Sequence, residues 1–309
     1  MSPLEQMAAT LKNTQIYPSK IRIEPNDIIV KKIFNLNESQ FSDILDGSNA
    51  IVTEKQQHKK YGEITTPLNL ENSKGYADNN PLTEFDRAVL GVCISEFAVG
   101  NPYTTPAIIL RALTGKIGNQ NVRPMKNQAE AIHYSISKLM STHIKVNNRE
   151  AFKKLNYYNK DGHIVVIKES AVLPACLVYA KINGQVVDDI LFFDRESPLF
   201  TLTDQKDQII RYDSTLLDVP NQNNTPLIIT LKNYTMRRIA EIKLHKQMSQ
   251  SLTFDDIFKK CRIENADSLK KAEARTNVLK LFENLKRRKF IHSYKIQKRG
   301  VLIYAINFS

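Results

Sequence analysis

The feature that most constrains this chain is an order of periodic segments that occurs twice. In each pass, apolar stripes at three- and four-residue steps come first, and segments alternating with a period of two follow. Each stripe and each alternating face has to be buried against another element. A chain so ordered therefore packs small helical clusters against short sheets.

In the first pass, Thr83 and Asp86 have the spacing of a capping box, with Leu82 just before it. Phe85, Val89, Val92 and Phe97 form an apolar stripe, and Gly100 is a natural stop. Thr105-Pro106 places an N-cap before a first-turn proline, Ile108, Ile109 and Leu113 follow, and Gly115 closes the helix. Near Pro124 a third helix begins, with Met125, Ala129, Ile132, Ile136, Leu139 and Met140 in register. Strands are expected at His143–Val146, His163–Ile167, Leu173–Ile182 and Val186–Phe193, with the turn Asn183-Gly184 between the last two.

From Thr225 the order repeats. One helix is expected over Ile228–Lys246, a short one opens at Thr253 with Asp256 behind it, and a long one runs from Asp267 to Lys289. Strands Phe290–Ile296 and Val301–Phe308 finish the chain. Helix, helix, helix, hairpin is the order of a winged helix. The sequence therefore predicts an α+β chain of two tandem winged-helix domains, the first with an enlarged β wing. Residues 1–80 read as an N-terminal extension and linker, 81–220 as an interaction or dimerisation domain, and 225–309 as a basic DNA-binding domain. Within the extension, Ile21–Val30 alternates like a strand and Phe34–Leu45 is amphipathic like a helix. The polar run Gln56–Pro81 reads as a linker or arm.

Charge divides the chain in the same place. Of 44 Lys/Arg and 32 Asp/Glu, residues 225–309 hold 19 and 7, so the whole net charge of +12 lies in the last 85 residues. Residues 1–224 are balanced. One part of such a chain is suited to a polyanion and the other to different work. No stretch of about 18 uninterrupted apolar residues occurs, so no membrane partner is expected. The N-terminus has no charged region followed by an apolar core, so no signal peptide is expected. Three scattered cysteines, Cys93, Cys176 and Cys261, fit a reducing cytoplasm.

On a wheel of Asp267–Lys289, Ala274, Val278, Leu281, Phe282 and Leu285 share one face. Glu273, Thr276, Asn277, Lys280, Asn284 and Arg287 are expected opposite. That mixture of cations, amides and hydroxyls suits a helix in a major groove. Lys270, Lys271 and Arg275 would reach phosphates near the helix start. Lys298 and Arg299 occupy the hairpin tip with Lys295 close by, and Arg237 and Arg238 extend the charge. The plainer alternative is a helix with a solvated cationic surface. On the Pro124–Met140 helix the expected outward residues are Glu130, His133, Tyr134, Ser137 and Lys138. They have no basic cluster and suit a protein interface.

Motifs for catalysis are missing. Gly115-Lys116 is followed by Ile117 rather than Ser or Thr, so no phosphate-binding loop is present. The six histidines have no HExxH spacing, and neither CxxC nor GxSxG occurs. Asp188-Asp189 and Asp255-Asp256 read as sheet-edge and helix-start polarity. The expectation is a binder with no cofactor or metal, not an enzyme.

The second block resembles the C-terminal domain of replication initiators from plasmids and related mobile elements. The likeness rests on Leu231-Lys232-Asn233-Tyr234-Thr235-Met236-Arg237-Arg238-Ile239, Leu252-Thr253-Phe254-Asp255-Asp256-Ile257-Phe258, Arg275–Phe290 and the terminal hairpin. Leu82–Ser141 resembles their N-terminal winged helix, and together the likeness covers about residues 80–309. It implies that the first domain pairs subunits, that the second grips direct repeats in double-stranded DNA, and that host replication proteins are recruited. A transcriptional repressor or autoregulator with the same DNA surface, and a protein-binding inhibitor or scaffold working through the neutral region, are the alternatives.

Overall fold

The computed structural model describes residues 18–26, 28–34, 50–58, 62–72, 81–147, 167–182, 185–204, 208–244 and 250–306. The architecture is α+β. In chain order the elements are β1 (Ile21–Pro25), α1 (Ile28–Ile33), β2 (Ala50–His58), β3 (Gly62–Asn72), α2 (Glu84–Ala98), β4 (Tyr103–Thr104), α3 (Pro106–Thr114) and α4 (Lys126–Ser141). Then come β5 (Thr142–Asn147), β6 (Ile167–Ala171), β7 (Ala175–Ile182), β8 (Gln185–Phe193), α5 (Pro198–Asp204) and β9 (Ile209–Asp213). A 3₁₀ turn at Ser214–Leu217 leads to α6 (Pro226–Leu244), β10 (Ser251–Thr253), α7 (Phe254–Lys260), α8 (Ser268–Arg287), β11 (Ile291–Gln297) and β12 (Gly300–Ile306).

Local chemistry sets the helix starts. The Thr83 hydroxyl accepts the Asp86 N–H, and the Asp86 carboxylate accepts the Thr83 N–H at 2.7 Å, which closes the capping box of α2. Thr105 caps α3 ahead of Pro106. The helix ends at Gly115 with φ +78°, where a Cβ would lie 2.3 Å from the Asp218 nitrogen. α4 starts where the Gln128 side chain accepts the Met125 N–H at 2.8 Å. Thr253 caps α7 and Asp267 caps α8.

Among the described residues two hydrophobic clusters result. One gathers α1, α2, α3 and α4, with Val89, Val92, Ile109, Leu113, Ile132, Ile136 and Leu139 fully buried. The other gathers α6, α7, α8 and the last sheet, with Ile239, Ile257, Phe258, Val278, Leu281, Phe282, Leu285, Val301 and Ile303 inside. α6 serves both, because Ile229 lies in the first and Leu231, Met236 and Ile239 in the second. The five α8 residues expected inward are all buried.

Among the described residues the strands form four sheets. β10-β12-β11 is antiparallel throughout, and a Cβ on Gly300 would come within 2.2 Å of the Leu252 carbonyl oxygen, so the close pairing of β10 and β12 requires glycine there. β2-β3-β5-β6 and β4-β8-β7 follow the first helical block, and β1 pairs with β9.

Two expectations for residues 1–80 change. Ile21–Val30 is not one strand: β1 ends at Pro25 and α1 starts at Ile28. Ala50–His58 and Gly62–Asn72 form a paired hairpin where Gln56–Pro81 was expected to be a linker. The run is polar, yet Ile64, Thr66, Leu68 and Leu70 alternate, and that period of two outweighs the composition. β3 then pairs with β5, which ties the N-terminal segment to the strands after α4. The helix expected over Phe34–Leu45, apart from Phe34, lies outside the described residues, as do His163–Val166 and the Asn183-Gly184 turn.

Candidate nucleic-acid interface

α8 stands over the second cluster with its inward stripe filled, and this fixes what its other faces present. Lys270, Glu273, Arg275, Thr276, Lys280 and Arg287 are exposed, and Lys271 is half-buried. Glu273, Thr276, Lys280 and Arg287 share one stripe, at spacings of three, four and seven. Leu269, 80% exposed, begins that stripe. The Arg275 guanidinium lies on the rings of Phe254 (5.2 Å) and Phe258 (5.6 Å), which holds it at the α7 edge. The hairpin between β11 and β12 exposes Lys295, Ile296, Gln297, Lys298 and Arg299 in a row. The helix stripe and the hairpin tip thus supply cations, a hydroxyl and a carboxylate on one domain-sized unit.

Two residues expected on this surface are elsewhere. Asn277 is only 7% exposed: its amide donates to the Glu273 carbonyl at 3.0 Å, and its side-chain oxygen accepts from Gln222 at 2.9 Å. Asn284 is buried in the same way and donates to the Leu216 carbonyl at 3.0 Å. Both amides hold α8 to the segment before α6, a second packing partner that widens the buried face of the helix beyond the apolar stripe.

Arg237 is the larger correction. It is 2% exposed and donates to Glu84 at 2.5 Å, with Glu24 at 3.7 Å. Burial works against its charge, yet Glu84 and Glu24 outweigh that and hold the guanidinium above its ordinary range. Arg238 is half-buried and paired with Glu241. Burial alone would raise the Glu241 carboxyl, but Arg238 and Lys31 pull it down to about 2.

These pairs belong to a polar layer between α2, α6 and the N-terminal segment. Arg22, fully buried, donates to the Ala88 and Ala112 carbonyls at 2.7 and 3.1 Å. Glu24 accepts the Tyr212 hydroxyl at 2.7 Å, and Asn233 donates to the Leu113 carbonyl at 3.0 Å. Asn26 and Lys31 both reach Glu241. On α6 the members are Asn233, Arg237 and Glu241, four residues apart, and on α2 they include Glu84, Arg87 and Ser95. That spacing was visible in the sequence as a polar stripe, which is ordinarily a solvent face.

On α4, Glu130 and Tyr134 are exposed, while His133 and Ser137 are half-buried. His133 Nε2 lies 2.7 Å from Asp189 on β8. Lys138, expected outward, is buried, with its ammonium 2.6 Å from Asp86 and 3.0 Å from the Pro81 carbonyl. Elsewhere on α6, burial lowers the Lys232 ammonium to about 7, against the pull of Asp218. It donates to the Leu217 carbonyl and to Asn224. Among the described residues no three His, Cys, Asp or Glu side chains converge as a metal site would need, and no helix is long and apolar enough to cross a membrane. Cys93 and Cys261 are buried and Cys176 is exposed, all as free thiols.

No protein-family model matches the chain, and no curated protein matches it. Among solved structures, the chain is similar to domains 2 and 3 of RctB, seen as selenomethionine derivatives. That likeness has 11% identity and a TM-score of 0.36, over 83% of this chain and 90% of that one. A second RctB structure, of domains 2–3 spanning 155–483, gives 11% identity and a TM-score of 0.35 over 77% of each chain. Likenesses at this level carry no argument about what the chain does.

Proposed function

We propose that this chain is a sequence-specific double-stranded DNA-binding protein of tandem winged-helix form, with α8 as the major-groove helix and the β11–β12 hairpin as the wing. It acts as a binder rather than an enzyme, as a replication initiator of a plasmid or related mobile element in the cytoplasm. Residues 225–309 supply the DNA surface. Residues 81–220 supply self-association through the exposed side of α4 around Glu130 and Tyr134, and host replication proteins are recruited to the assembly.

The observation that carries this reading is the coincidence of charge and shape. The last 85 residues hold the entire excess of +12, and the exposed stripe of α8 with the hairpin tip carries part of it, Lys280, Arg287, Lys295, Lys298 and Arg299, beside groups able to hydrogen-bond base edges. Lys270, Lys271, Arg275, Lys295, Lys298 and Arg299 meet phosphates. Glu273, Thr276 and Lys280 face bases, and Arg287 ends the stripe. The initiator role itself rests on the sequence resemblance described above.

Selection of bound duplexes from a random library by the full-length protein tests it. An enriched motif recurring as direct repeats is the expected result. A single palindrome would replace the initiator by a repressor, and no enrichment would overturn the DNA reading.

A further inference from the structure

The outward side of α8 carries a second pattern, made of carbon rather than charge. Leu269, Ala272 and Thr276 are all exposed, and their spacing of three and four puts them on one face of the N-terminal half of the helix. That face lies away from the buried stripe of Ala274, Val278, Leu281 and Leu285. Among the described residues Leu269, 80% exposed, is the most exposed of the large apolar side chains. The Thr276 hydroxyl donates to the Ala272 carbonyl at 3.0 Å, so its donor is engaged and the side chain offers a methyl group and oxygen lone pairs.

Folding does not account for a leucine at this place. So exposed a side chain gains little from burial, and alanine would hold the turn at least as well. The surroundings are made for an anion. Asp267 caps the helix, but the first turn after it has no acidic residue and carries Lys270 and Lys271, against the helix dipole. What meets this face is thus a polyanion with an apolar group within reach of the leucine. On the edges of base pairs in the major groove that group is the thymine 5-methyl, and the N-terminal residues of a major-groove helix are the ones that meet base edges.

We propose that Leu269 is a specificity-determining residue that reads thymine by closing on its 5-methyl group, with Ala272 beside it, a role that rests on α8 being the major-groove helix. Glu273 and Lys280 select bases by hydrogen bonds. Leu269 selects by taking the methyl group and its own side chain out of water. Uracil pairs as thymine does but lacks the methyl, so it cannot supply that contact.

The duplex selected by the full-length protein is the probe. Each thymine in it is replaced in turn by deoxyuridine, and affinity is measured by fluorescence anisotropy for the parent and for Leu269→Ala. At one position the exchange should weaken the parent about fourfold, the worth of one buried methyl group, and leave Leu269→Ala unaffected. On the thymine duplex Leu269→Ala should bind roughly tenfold more weakly than the parent, with an unchanged Tm. In a fresh selection that variant should lose the thymine preference at this position and keep the preferences elsewhere. If the parent selects a sequence but no deoxyuridine exchange weakens it, the proposal is overturned and the DNA assignment stands. The same holds if the sensitive position stays sensitive in Leu269→Ala. If no sequence is selected, the DNA assignment fails and takes the role of Leu269 with it.

Discussion

α6 and α8 are long helices from the same quarter of the chain, and each carries polar residues at helical spacing. On α8 the stripe of Glu273, Thr276, Lys280 and Arg287 is exposed, whereas on α6 the stripe of Asn233, Arg237 and Glu241 is buried against α2 and the N-terminal segment. Periodicity identifies a face, and only the neighbouring elements decide whether that face meets solvent or a matching polar layer. The difference also separates two roles for arginine and lysine: buried, they fix how parts of the chain sit together, and exposed, they remain available to a polyanion.

The largest effect expected from this contrast concerns Lys232. Burial brings its pKa from 10.5 to about 7. Between those values the unfolded chain holds a proton that the folded chain has released, so stability rises with pH across that window and is flat below it. The span is on the order of 5 kcal/mol. Urea unfolding of Lys232→Met should lack this rise, and a variant that keeps the parent's slope would place the ammonium in water.

Next comes the Arg237–Glu84 pair. Removing one partner leaves a buried charge uncompensated, so Glu84→Gln or Arg237→Met should cost about 3–5 kcal/mol in unfolding free energy. Replacing both with apolar residues should recover much of that loss. If Arg237→Met instead weakened DNA binding and left stability alone, the assignment of α6 to the interior would fail.

Smaller effects distinguish two neighbours on α8. Asn277→Ala should lower stability by about 1–2 kcal/mol through loss of the Gln222 contact, with sequence preference unchanged. Lys280→Ala should leave the melting curve in place and relax base preference by about 1–3 kcal/mol, if it contacts a base edge. Measuring both variants on the selected duplex separates a packing amide from a reading side chain.

Helix starts and the apolar stripes were legible in the sequence because they depend on contacts within a turn or two. Thr83 with Asp86, Thr105-Pro106 with Gly115, and the Ala274–Leu285 stripe all behave as their spacing predicts. The pairing of β1 with β9 was not legible, since it joins residues about 190 positions apart and nothing local specifies it. Of the candidate site, the exposed cations were readable because exposed positions need no partner. Arg237, Asn277 and Lys138 were misplaced because each is satisfied by a residue remote in sequence, Glu84, Gln222 and Asp86 respectively. A hint was present: Arg237 lies among apolar and aromatic residues, with Tyr234, Met236, Ile239 and Ala240 beside it.

Fluorescence anisotropy of the intact protein with a random-sequence duplex, measured across a salt series, tests the DNA assignment most directly. The whole chain is required, because a cut before α6 would strip Arg237 and Glu241 of their partners on α2 and α1. Each phosphate contact contributes about 0.9 to the slope of log affinity on log salt, so Lys298→Ala with Arg299→Ala should weaken binding and flatten that slope by about one to two units. Binding that is absent, or whose slope the double variant leaves unchanged, would contradict the placement of the polyanion surface on this helix and hairpin.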